Sequence, residues 1–102
     1  MNQLSDIEIF KEAKGVVQQI IESIDKSENK IAFQILNQQM RIMELAILQL
    51  GTGGYVPVDE INEMTNFLVQ AMENRDGVLL RDIMKYAMLD VLNQLLPEEE
   101  LA

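Results

Sequence analysis

Phe33-Gln34-Ile35-Leu36-Asn37-Gln38-Gln39-Met40-Arg41-Ile42-Met43-Glu44-Leu45-Ala46-Ile47-Leu48-Gln49-Leu50 is the stretch whose reading decides the fold. Phe33, Leu36, Met40, Met43, Ile47 and Leu50 recur at alternating steps of three and four, the period of one face of an α-helix. Ile35, Ile42, Ala46 and Leu48 add apolar surface off that seam. Its polar positions are amides except for Arg41 and Glu44, and amides are cheaper to bury partly than charges. The pattern predicts a helix over 28–50, with Ser27 as its cap, lying centrally and touched on more than one side.

Immediately downstream stands Gly51-Thr52-Gly53-Gly54-Tyr55-Val56-Pro57, the one segment dense in helix breakers. Gly51 is expected to stop the helix as its C′ residue. Two weaker marks, Asp25-Lys26-Ser27-Glu28-Asn29 and Glu73-Asn74-Arg75-Asp76-Gly77, complete a division into four segments. The first predicted helix covers 5–26. Ser5 followed by Glu8 fits a capping box, and Phe10, Ala13, Val17, Ile20 and Ile24 form its stripe. Gly15 inside it reads either as a tolerated defect or as the crossing point of another helix. The third predicted helix covers 58–73, starting behind Pro57 with Asp59, Glu60 and Glu63 at the positive end of its dipole. The fourth covers 77–96. Asp76 caps it, Leu80, Ile83, Ala87 and Val91 form one line, Met84, Met88, Leu92 and Leu95 an adjoining one, and Pro97 ends it. No segment alternates with the period of a strand. The expected architecture is all-α, an antiparallel up-down four-helix bundle in a single domain over 1–102, with an acidic tail at 97–102.

Composition bounds the function. With 48% hydrophobic residues, the 102-residue chain has enough apolar material to fold despite a net charge of −9. No apolar run approaches the roughly 18 residues that a membrane helix needs, and the N-terminus lacks the features of a signal peptide, so a cytoplasmic location is expected. Seventeen acidic residues against eight basic ones argue against nucleic acid and against anionic membranes as partners. Residues 51–102 carry ten acidic and three basic residues, a net of −7, so the acidic surface belongs to the C-terminal half.

Cysteine and histidine are both missing from the sequence. That removes thiolate nucleophiles, histidine-dependent triads and the usual zinc sites. Glu60 and Glu63, at i,i+3, could geometrically share a Mg2+ or Ca2+ ion, but acidic first turns are already explained by the helix dipole. Gly51-Thr52-Gly53-Gly54 lacks the Gly-Lys-Ser/Thr ending of a phosphate loop. Lys85 and Tyr86, being adjacent, point about 100° apart on a helix and form no joint acid–base unit. The expectation is therefore a non-enzyme with no cofactor and no metal.

What the stripes suggest instead is association. The second and fourth helices carry more apolar side chains than one inward face uses, which predicts a homodimer. Leu36, Met40, Met43, Ile47, Met84, Met88 and Leu92 are the candidate interface. Methionine is flexible and polarisable, so these residues could either fill a core or line an adaptable groove. The competing expectation is a small acidic chaperone of the secretion or flagellar-export type, holding an amphipathic client helix.

Asp76-Gly77-Val78-Leu79-Leu80-Arg81-Asp82-Ile83-Met84-Lys85-Tyr86 resembles the D-x-V-L-L-x-D-L-L-x-Y-E-L pattern of small bacterial all-helical proteins of unassigned function. The likeness covers 11 residues and breaks at Ala87, where the pattern has Glu. It implies a helical bundle in a bacterial cell and no particular activity. On the residues themselves, Asp82 and Tyr86 are i,i+4 neighbours, so the phenol is expected at the rim of the core within reach of that carboxylate.

Overall fold

The computed structural model describes residues 5–96, so the acidic stretch at 97–102 lies outside the described residues. The chain is all-helical, with no strand among the described residues. Its elements are α1 (Asp6–Asp25), α2 (Asn29–Gln38), α3 (Met40–Thr52), α4 (Val58–Asn74), α5 (Gly77–Asp82), a π-helical segment (Ile83–Leu89) and α6 (Asp90–Leu95). The last three run on without a break, because the residues at both junctions keep right-handed helical angles. Five rods result among the described residues, where the periodicity predicts four. No helix among them is long and apolar enough to cross a membrane.

The extra rod comes from the segment 28–50, which is interrupted at Gln39 (φ −107°, ψ 20°). Neither Gly nor Pro marks the place; it falls in the run Asn37-Gln38-Gln39. Both halves pack on α1, and the interruption lets Leu36 before it and Met43 after it reach full burial. The central helix is correspondingly α1, which lies against α2, α3, α5, the π segment and α6. α4 leans on α3, α5 and the π segment.

Local signals account for most helix ends. At α1 the Ser5 Oγ accepts from the Glu8 N–H (3.2 Å) and the Glu8 carboxylate accepts from the Ser5 N–H (3.0 Å), a complete capping box. Asp76 Oδ1 accepts from the Leu79 N–H (3.0 Å) and caps α5 as expected. Two assignments need correcting. Gly51 does not stop α3, which continues through Thr52; the stop is Gly54 (φ 79°). The Tyr55 N–H bonds the Leu50 carbonyl (3.0 Å) and the Gly54 N–H the Gly51 carbonyl (3.2 Å), a Schellman closure about Gly54. Gly51 instead permits close packing, since a Cβ there would lie 3.3 Å from Ile61 Cγ1 of α4. Ser27 does not cap α2, whose N-cap is Glu28 without a side-chain bond. It is the left-handed C′ residue of α1 (φ 63°), with Glu28 N–H on the Ser23 carbonyl at 2.8 Å. Arg75 (φ 50°) closes α4 in the same way.

The π segment has a packing cause. Leu80, Met84, Met88, Leu92 and Leu96 are all buried and follow each other at steps of four. A step of four overshoots an α-helical turn by about 40°, so five such residues on a regular helix would wind off the core. A π turn, bonded i→i+5, takes up more residues and undershoots on the same step. Placing it at Ile83–Leu89 brings the seam back into line.

Gly15 is exposed and a Cβ there would meet nothing within 4 Å, so it is the tolerated defect and no helix crosses it. Gly15→Ala should therefore raise stability by about 1 kcal/mol, read as a melting temperature higher by roughly 4–8 °C. An unchanged or lower melting temperature would mean that the backbone there is not ordinary helix.

Candidate functional site

Between α3 and α4 runs a groove of about 490 Å³. From α3 it is lined by Met40, Glu44, Ile47 and Leu48, and from α4 by Ile61, Thr65, Leu68, Val69 and Met72. Both sets follow helical spacing, so each helix presents a second apolar stripe beside the one that faces the core. Leu68 is the buried floor, Met40, Ile47, Ile61 and Met72 are half-buried, and Leu48 (58%) and Val69 (46%) stand in the open. The contact at Gly51 and Ile61 sets how closely the two helices approach. One residue of the lining, Glu44, is charged.

The seven candidate interface residues divide. Leu36, Met43, Met84, Met88 and Leu92 have no exposed surface and belong to the core of the single chain. They offer nothing to a partner in this fold. Met40 and Ile47 do line the groove. Leu48 and Val69, its exposed apolar walls, are not among those seven residues. Leu48 sits off the main seam of its helix, and an off-seam apolar residue is the available signal; Val69 gives the same signal, standing in the apolar run Phe67-Leu68-Val69 beside the buried line of Met64, Leu68 and Ala71.

The remaining polar constellations tie the fold together. Arg81 Nε bonds Asp25 Oδ1 at 2.6 Å, and its Nη2 lies 3.4 Å from Oδ2, joining the end of α1 to α5. The bond from Arg81 holds the Asp25 carboxyl below its ordinary value, and Asp25 in turn raises the guanidinium. The Tyr55 hydroxyl donates to Asp6 Oδ2 (3.1 Å), which pushes the phenol above its usual value. Its ring meets Phe10 edge-on at 5.4 Å between centroids. Asp82 and Tyr86 form no hydrogen bond with each other among the described residues. Tyr86 is 60% exposed, past the rim of the core, and the Lys85 ammonium lies 5.5 Å from its ring centre. Lys85 and Tyr86 thus do approach, as a cation over a ring. Among the described residues no three carboxylates converge as metal ligands.

Comparison of the chain with protein-family models, with curated proteins and with solved structures found no match in any of the three.

Proposed function

We propose that this protein is a non-enzymatic, cytoplasmic helical interaction module that self-associates through the α3–α4 groove and needs no cofactor. The observation that carries the reading is the open apolar groove, with Leu48 and Val69 exposed and a single charge in its lining, on a chain of net charge −9. Exposed contiguous apolar surface favours association. Two copies of so acidic a chain repel each other, and the repulsion is least where carboxylates are fewest. Arg41 and Glu44 stand three residues apart on α3, so a two-fold contact can set each arginine against the partner's glutamate.

Light scattering at micromolar concentration should report twice the 11.7 kDa chain mass. The double variant Leu48→Glu/Val69→Glu should return the mass to that of one chain without lowering the helical content. A native chain that stays monomeric at millimolar concentration would sink the proposal. A second reading, an amphipathic client helix held in the same groove, is favoured by the half-buried Met40 and Met72, whose flexible side chains adapt to varied partners. Under that reading the same double variant loses a client while the native mass is already that of one chain.

A further inference from the structure

A second cleft, of about 440 Å³, lies between α4 and the π segment with α6. Glu60, Glu63, Met64 and Phe67 face it from α4, at the i, i+3, i+4, i+7 spacing of one helix side; Tyr86 and Val91 are among the residues opposite. The chain has five aromatic residues. Phe10 and Phe33 are buried, and Tyr55, though 43% exposed, has its hydroxyl on Asp6 and its ring on Phe10; the other two, Phe67 at 42% and Tyr86 at 60% exposed, both line this cleft. The wall opposite α4 is made by the π segment and α6; aligning the core seam at steps of four leaves Tyr86 and Ala87 of the π segment and Val91 of α6 on the cleft.

Carboxylates beside open aromatic rings over an apolar floor are the surface complementary to a cation carried on an alkyl stem. The carboxylates attract the charge, the rings attract it through their π-faces, and the floor takes the methylenes. A cation already uses one of these rings, since the Lys85 Nζ lies 5.5 Å from the Tyr86 centroid. We propose that this cleft is a docking site for a basic amphipathic helix of a protein partner, which places a Lys or Arg side chain against Glu60, Glu63, Phe67 and Tyr86. The cleft is separate from the α3–α4 groove, and the two share no lining residue. Lys85 is the built-in competitor for the ring, and its charge opposes the incoming one.

The test is binding of a fluorescently labelled amphipathic helix of Lys and Leu, against the same peptide with Glu for Lys, followed by anisotropy. Glu60→Gln/Glu63→Gln should weaken the Lys/Leu peptide about tenfold, the equivalent of about 1.4 kcal/mol. Phe67→Ala should weaken it as well, and Lys85→Ala should tighten it. The control Asp59→Asn/Glu73→Gln removes two charges outside the cleft and should leave affinity within about twofold, which separates the site from general attraction to an acidic chain. The groove variant Leu48→Glu/Val69→Glu should bind the peptide as the native chain does, so that failure of the dimer and failure of this site are told apart. Equal weakening by the two charge-removing pairs, equal binding of the Glu/Leu peptide, or loss of binding in the groove variant would each overturn the proposal.

Discussion

Phe10→Ala is expected to lower the stability of the fold by about 3–5 kcal/mol, since it empties a fully packed aromatic site. Phe10 is 1% exposed on α1, the helix that touches nearly every other element, and its ring meets Tyr55 edge-on. Removing it opens a cavity on the central helix and takes away the partner that holds the α3–α4 connection against α1. Domains of this size have about 5–15 kcal/mol in all, so the melting temperature should fall by at least about 12 °C. Tyr55→Phe keeps the ring contact and loses only a surface hydroxyl bond to Asp6; it should cost under about 1 kcal/mol. If the two variants melt together, the ring contact is not what joins the connection to the core.

Leu36→Ala should cost about 2–5 kcal/mol, read as a fall in the urea midpoint at unchanged slope. Leu36 has no exposed surface although α2 is only ten residues long. That short helix is held by what it buries against α1, namely Ala32, Phe33 and Leu36. Ile31→Ala on the same helix serves as the control, because Ile31 is 43% exposed and should lose under about 1 kcal/mol. A Leu36→Ala loss below about 1 kcal/mol would mean that α2 does not pack on α1 as described.

The stability of the Asp25–Arg81 link should also register pH. A carboxyl held below its ordinary value by the arginine contributes stability above the ordinary carboxylate range, and that contribution disappears as pH falls through the lowered value. The pair joins residues 56 positions apart, and no local spacing announces it.

The candidate grooves were legible only in part. The stripe points to Met40 and Ile47, but that same stripe contains Leu36 and Met43, which the fold buries. A helical stripe states which residues avoid water; it does not state whether the chain's own helices or another molecule will cover them. Leu48 and Val69 are exposed because the core was already closed by their neighbours, a result of packing that no single helix encodes.

Short-range chemistry was readable from residue order alone: the all-α class, the capping box of Ser5 and Glu8, the Asp76 cap, and the helix limits near Asp25, Val58 and Gly77. Each depends on side chains within about one turn of one another. Tertiary packing decided the rest. It interrupted 28–50 at Gln39 so that two short helices could lie on α1, made α1 the centre, and moved the end of α3 from Gly51 to Gly54. It also wound Ile83–Leu89 into a π segment. A run of apolar residues at steps of four is compatible with several helical faces, and only burial against α1 and α4 selects the backbone that keeps Leu80, Met84, Met88 and Leu92 in one line.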